Sequence, residues 1–465
     1  MTASIEDLSH DLLEEILHRL SYKDSRGCLC VCTTWLLLVS QPSFLKRLMA
    51  FNRLNNQVQQ EPYLILNLTD QNNYMSNEFG GGICLDQEEE DKDSKARVLN
   101  RSLDFLPKRE GEVMRVLRVS GDLFLCGHSK KRSCPPTRAH SGDGKDYYYI
   151  CNPITRQWVA LPPRSRAYGS NFQFYSPTNF YEEDPHDSIY NPEYEYNVLI
   201  MVDEMPSNTR SRSRLSVNVE SFSSKVGKWR TLALPIPRGF YFRHRFWLQE
   251  SCLHEGVLWY CNIRHIIKYN IKDLEQDPVL FDIPLGFIDS DVRCVTIGVC
   301  RGRLRLAGLF PPLDNVDGVA SDLMVWDLDE EEDGWRKWAS VHMFSLRDMC
   351  LNTALKPDQI SVKDIFVHPT NPDIVFVEHK QGIVECNTRM RVFKHLQQAA
   401  MRYTASMGRV FLMMPPSYPT PVLPVNNNMM QEENCFYDPP VLPVVTSVWE
   451  QVDFFSALRK DTQVV

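Results

Sequence analysis

Apolar residues recur at helical spacing near the N-terminus and at alternating spacing over most of the remaining chain. Between Leu8 and Leu20, the side chains of Leu12, Leu13, Ile16, Leu17 and Leu20 fall on one helical stripe. Ser9 stands at the N-cap position, Asp11 in the first turn and Arg19 near the C-terminal end, all favourable for the helix dipole. Ser21-Tyr22-Lys23-Asp24 is a second capping signal, opening a helical stretch that runs towards Trp35. A module of about 40 residues is too short to bury a core alone, so the pattern predicts reliance on a partner.

From residue 111 onwards the period changes to that of strands. Six short segments begin at a glycine or turn and carry β-branched and aromatic residues: 121–126, 197–202, 256–261, 302–307, 373–378 and 408–413. They are expected to be the inner strands of repeated units. Each of the first five precedes a further strand, at 147–151, 215–222, 265–271, 322–328 and 382–386. Several units close on tryptophan, as in Trp158-Val159-Ala160-Leu161-Pro162, Trp229-Arg230-Thr231-Leu232 and Trp335-Arg336-Lys337-Trp338. A spacing of roughly 40 to 75 residues suits four-stranded propeller blades with loop insertions. A pair of β-sandwiches or another all-β fold is the alternative. Pro62–Leu68 and Val441–Trp449 are further strand candidates at the two ends. Pairing the termini in one blade removes an exposed strand edge, so six units are visible and a seventh is allowed for.

The expected organisation is therefore a small all-α module at 1–50, then a linker and first propeller strands at 51–110. Propeller units occupy 111–414, a Pro/Asn-rich mobile segment 415–443, and a closing strand and tail 444–465. Asp86–Asp93, Lys130–Lys131–Arg132 and Thr209–Arg214 read as charged loop insertions. A 465-residue chain with 43% apolar residues has ample core. Its net charge of −8, with both signs interspersed, argues against a nucleic-acid surface. No apolar run approaches the ~18 residues needed to span a bilayer, and the N-terminus is acidic rather than signal-like. The 14 cysteines show no disulfide rhythm, which fits a reducing compartment, cytoplasmic or nuclear.

Chemistry-bearing clusters are sparse. Cys28, Cys30 and Cys32 do not share one helix face, which favours structural burial over a metal site. Cys126, His128, Cys134 and His140 contain both zinc-ligand types, but their spacing matches no standard finger. Gly142-x-Gly144-Lys145 lacks the spacing of a phosphate-binding loop, and there is neither a Gly-x-Ser-x-Gly elbow nor a His-Glu-x-x-His pair. His368 and His379 flank a strand, with nothing to select them as catalytic. No catalytic constellation and no cofactor or metal site is expected. Tyr168, Phe172, Tyr175, Phe180, Tyr181, Phe240 and Tyr241 crowd two aromatic-rich stretches, which are candidate target-binding loops or inter-blade core.

The N-terminal pattern, with Val31-Cys32-Thr33-Thr34-Trp35 and then Gln41-Pro42-Ser43-Phe44, resembles an F-box. Ser9 stands where the family has proline, and Gly27 falls within its second helix. Tyr149-Ile150-Cys151-Asn152-Pro153-Ile154-Thr155-Arg156-Gln157-Trp158-Val159-Ala160-Leu161-Pro162 looks like the signature of plant F-box-associated, kelch-like domains, and His368–Phe376 also fits that family. The kelch double glycine is absent before the inner strands, and Trp326-Asp327 is a lone pair. These resemblances imply a six- or seven-bladed kelch-like β-propeller behind an F-box. They also imply that Leu8, Leu12, Leu13, Ile16, Leu17, Leu20, Val31, Cys32 and Trp35 bind a Skp-type adaptor, and through it a cullin and a RING subunit. The implied role is that of a non-catalytic substrate receptor for ubiquitination of an unknown target protein. A propeller enzyme, a small-ligand receptor and a non-degradative scaffold are the alternatives.

Overall fold

The computed structural model describes residues 8–20, 28, 31–39, 44, 47–48, 63–69, 77–84, 103, 105–108, 112–130, 145–153, 155–165, 169–175, 194–202, 216–237, 251–262, 264–274, 276–283, 294–310, 322–330, 336–345, 362–379, 382–396, 410–413, 420 and 422. At the N-terminus, α1 spans His10–Leu17 and α2 spans Thr33–Val39. Ser9 is the N-cap, its Oγ accepting from the Leu12 N–H at 3.4 Å. The helical stretch expected to run towards Trp35 is interrupted at Val31 and Cys32, and Trp35 belongs to a helix that starts afresh at Thr33. The Ser21–Asp24 signal and Gly27 lie outside the described residues.

Among the described residues, the regular structure after the module is β. Blade I joins β3 (Glu112–Ser120), β4 (Leu123–Lys130), β6 (Tyr148–Asn152) and β7 (Gln157–Ala160). A two-stranded ribbon of β5 (Lys145–Asp146) and β8 (Arg164–Ser165) accompanies it. Blade II holds β9 (Gly169–Tyr175), β10 (Asn197–Val202), β11 (Ser216–Ser223) and β12 (Lys228–Pro235). Blade III holds β13 (Ser251–His254), β14 (Val257–Cys261), β15 (His265–Asn270) and β16 (Val279–Asp282). Blade IV holds β17 (Cys294–Cys300), β18 (Arg303–Phe310), β19 (Asp322–Glu330) and β20 (Arg336–Ser345). Blade V holds β21 (Val362–Val367), β22 (Ile374–His379), β23 (Gly382–Asn387) and β24 (Val392–Leu396). Each blade is an antiparallel meander in chain order.

The sixth sheet is three-stranded: β1 (Tyr63–Thr69) lies between β2 (Asn77–Cys84) and β25 (Val410–Met413). Among the described residues there are thus five four-stranded blades, not the six or seven expected. Among the described residues, the sixth repeat, at 408–413, contributes the single strand β25 rather than a blade of its own. Its strand pairs with β1, Tyr63 opposite Met413, and so supplies the end-to-end closure expected of 441–449. Residues 441–449 lie outside the described residues.

A second correction concerns strand order. The segments read as inner strands are the second strand of each blade: β4, β10, β14, β18 and β22. The strand before each of them packs at the blade-to-blade contacts, as β3 against β9 and β17 against β13 and β21. These first strands were hidden because contact on both faces removes the simple alternation; β17 reads Cys-Val-Thr-Ile-Gly-Val-Cys. Gly121, Gly256 and Gly302, which announced three of the units, sit in the turns between first and second strands. Glu255-Gly256 and Arg301-Gly302 are two-residue turns with both φ angles positive, 50° and 72°, and 50° and 73°. That geometry matches the twist of the flanking strands and favours glycine at the second position.

Apolar clusters lie between consecutive blades. Leu125 and Ile150 of blade I meet Val198 and Phe222 of blade II, and Leu199 of blade II meets Tyr260 and Ile267 of blade III. Trp259 of blade III meets Leu306 and Trp326 of blade IV, and Leu309 of blade IV meets Val375 of blade V. Polar bonds cross the same joints. Trp229 Nε1 donates to the Pro162 carbonyl at 2.7 Å, and the Tyr269 hydroxyl donates to the Pro235 carbonyl at 2.9 Å. In both cases an aromatic donor of one blade satisfies the carbonyl that closes the blade before it.

Candidate protein-interaction sites

The N-terminal module buries Leu13, Leu17, Cys28, Leu38, Val39, Phe44 and Leu48, with Leu20 and Trp35 packed against them. Arg47 reaches back to Glu14 of α1 at 3.1 Å, joining the last helical residues to the first helix. Leu12, Ile16, Val31 and Leu37 are left exposed, at 55%, 45%, 58% and 64%. Leu12 and Ile16 are one helical turn apart and share a face, about 100° around the axis from Leu13 and Leu17. Glu15 and Arg19 border that face, 2.5 Å apart, and the arginine holds the Glu15 carboxyl below its ordinary range.

The nine residues expected to bind an adaptor therefore separate by position. Leu12, Ile16 and Val31 are presented to solvent; Leu13 and Leu17 face inward; Leu8, Leu20, Cys32 and Trp35 are half-buried. Leu37 was missed, because α2 carries Trp-Leu-Leu-Leu-Val and the run alone does not show which leucine points outward.

The aromatic candidates for target binding do not form one described site. Tyr175 is buried in the joint between blades II and III. Phe172 lies in β9 opposite Ile200. Tyr168, Phe180, Tyr181, Phe240 and Tyr241 lie outside the described residues.

Cys126 and Cys151 are buried neighbours on adjacent strands, their Sγ atoms 3.8 Å apart, and burial pushes the Cys126 thiol up. His128 packs edge-on against Tyr149. Cys134 and His140 lie outside the described residues, as does Cys30. Among the described residues, no group of three or more His, Cys, Asp or Glu side chains is placed to hold a metal.

The two motifs that suggested a family form hydrogen-bonded turns. Asn152 accepts from the Thr155 N–H at 3.3 Å, closing a four-residue turn whose last residue, Arg156, has φ 61°. Asn387 makes the equivalent bond to the Met390 N–H at 2.9 Å, ahead of Arg391 at φ 54°. His368 is buried, and its Nδ1 accepts from the N–H groups of Thr370 and Asn371 at 3.2 and 2.9 Å. Burial lowers its pKa to about 4. Arg301 grips the same turn, donating from its backbone N–H to the Pro369 carbonyl at 2.8 Å and from Nε to the Thr370 carbonyl at 2.7 Å. Buried Arg305 meets Asp327 with two bonds, 2.6 and 2.8 Å, and also donates to the Pro372 carbonyl. A polar cleft of about 560 Å³ opens between blades III and IV, lined by His254, Glu255, Arg303 and Asp329 among others.

Comparison with solved structures places this chain beside TolB from Acinetobacter baumannii, at TM-score 0.36 and 8% identity, covering 78% of this chain and 69% of that one. The WD40 domain of SCAP from fission yeast is similar at TM-score 0.29 and 8% identity, with 66% and 67% covered. Comparison with curated proteins found no match. Residues 5–47 match the family model of the F-box domain. The chain carries an F-box domain at its N-terminus, followed by a β-propeller-like arrangement.

Proposed function

We propose that this chain is the substrate-recognition subunit of an SCF-type ubiquitin ligase, acting in the cytoplasm or nucleus. The F-box holds the Skp-type adaptor, and through it the cullin and RING subunit; the propeller holds a target protein. The observation that carries the reading is the exposed apolar set Leu12, Ile16, Val31 and Leu37 on a domain whose other described apolar side chains are buried or half-buried. Covering the exposed half of each contributes about 1 kcal/mol apiece. Leu13 and Leu17 support this face from beneath; Leu8, Leu20, Cys32 and Trp35 form its rim. The likeness of Asn152–Pro162 to the plant kelch-like signature supports a target-binding role for the propeller.

In this reading the chain performs no bond chemistry. It raises the effective concentration of a target lysine beside a charged conjugating enzyme. The test is a reconstituted reaction containing adaptor, cullin, RING subunit, conjugating enzyme and proteins captured by the full chain. Ubiquitin transfer to a captured protein, lost with the Leu12→Asp/Ile16→Asp variant, is expected. Adaptor binding without any transfer would instead favour a non-degradative scaffold.

A further inference from the structure

Far from blade I in sequence, Thr420 and Val422 are seated on it. Asp122, in the turn between β3 and β4, accepts from the Thr420 N–H at 2.7 Å through Oδ2, and the Thr420 hydroxyl bonds the same carboxyl. Asn152 Nδ2 donates to that Oδ2 at 2.7 Å and to the Thr420 carbonyl at 2.7 Å. Gln157 Oε1 accepts from the Val422 N–H at 3.4 Å, and the valine side chain packs against the cluster shared by blades I and II, beside Leu117, Val159 and Trp229.

Asp122 and Asn152 are almost fully buried, at 1% and 0%. Asp122 Oδ1 has no hydrogen-bond partner among the described residues. The site therefore reads both backbone groups of one residue, its hydroxyl, and an apolar side chain two positions on. That is how an extended peptide is recognised: main-chain bonds supply affinity and an alternate side-chain socket supplies selectivity. The sequence holds a second copy of the element. Pro421-Val422-Leu423-Pro424-Val425 recurs as Pro440-Val441-Leu442-Pro443-Val444, but with Pro439 in place of Thr420, which has neither N–H nor hydroxyl.

We propose that Asp122, Asn152 and Gln157 form a binding site for a segment carrying threonine and, two positions on, valine, filled in the free chain by its own Thr420 and Val422 and able to exchange them for a partner segment of the same chemistry. The site does not rest on the ubiquitin-ligase reading; only the naming of its external ligand as a target does.

The test uses the full-length chain with Thr420→Pro, beside the wild type, titrated with a fluorescent synthetic peptide of residues 417–426. The opened variant is expected to bind about tenfold or more tightly than the wild type, whose site is filled from within. The same peptide carrying Thr420→Pro is expected to bind the opened chain about tenfold or more weakly, having lost its bonds to a carboxylate. If circular dichroism shows that the variant does not fold, wild-type hydrogen exchange decides. Saturating peptide must then speed exchange in the chain's own 417–426 while β4 and β6 stay protected. A folded variant that does not bind, equal binding of the two peptides, or unchanged exchange in that fallback overturns the proposal. None of these readouts involves the adaptor, so failure here leaves the F-box reading standing.

Discussion

In the F-box, Leu13, Leu17, Leu38, Phe44 and Leu48 are buried while Leu12, Ile16, Val31 and Leu37 remain at least 45% exposed. In the blades, exposed apolar side chains are dispersed: Val226, Val279, Val341, Met343, Met390 and Val392 sit on turns and outermost strands of four blades. Scattered apolar residues are ordinary on a soluble surface, whereas four within one short module are a denser exposure. The difference separates two ways of being stable. The blades complete one another, each covering the next; the F-box leaves part of its apolar surface exposed.

The comparison breaks most completely at Leu17, which is 1% exposed. Leu17→Asp buries an unpaired charge and is expected to cost more than about 4 kcal/mol locally. Circular dichroism should show loss of helix while the β transition persists. In the blades the corresponding weak point is Arg305. Arg305→Ala strands the partly buried Asp327 and frees the Pro372 carbonyl, at an expected cost of about 3–5 kcal/mol in denaturant unfolding.

Acid should act on the joint between blades IV and V. Burial lowers the His368 pKa from 6.5 to about 4, so the folded chain holds the ring neutral where the unfolded chain protonates it. Its contribution is complete above pH 6.5 and is lost as pH falls towards 4, by up to about 3 kcal/mol. His368→Gln should flatten that part of the stability–pH curve. The smallest effect is expected at the joint between blades I and II. Trp229→Phe removes the donor to the Pro162 carbonyl and should cost about 1–2 kcal/mol, with a modest fall in Tm.

The sequence made some of this architecture legible and hid the rest for physical reasons. The α1 stripe, its Ser9 cap and the second and third strands of each blade show because each combines a clean period with a turn or cap residue. The first strands do not show a clean period; β17, buried over most of its length, carries no simple alternation. Among the described residues the blades fall short of the six or seven expected because β25 carries the local pattern of a blade strand, while its pairing with β1 is fixed only by closure over more than 340 residues of chain. Tyr175 looked like a loop aromatic and proved to be inter-blade core, since an aromatic-rich stretch does not show which residues begin the loop. In α1, periodicity found the stripe but could not divide it into Leu13 and Leu17, which hold the module, and Leu12 and Ile16, which face out. Asp122 gave no signal at all: its partner at Thr420 is almost 300 positions away.

That division of the stripe is tested most directly by calorimetric titration of the purified full-length chain with the Skp-type adaptor. Leu12→Asp/Ile16→Asp should weaken binding by more than about a hundredfold with helix content retained, while Val226→Asp/Val392→Asp on the blades should leave it unchanged. Unaltered adaptor affinity in the folded Leu12/Ile16 variant would contradict the assignment of this face as the adaptor interface.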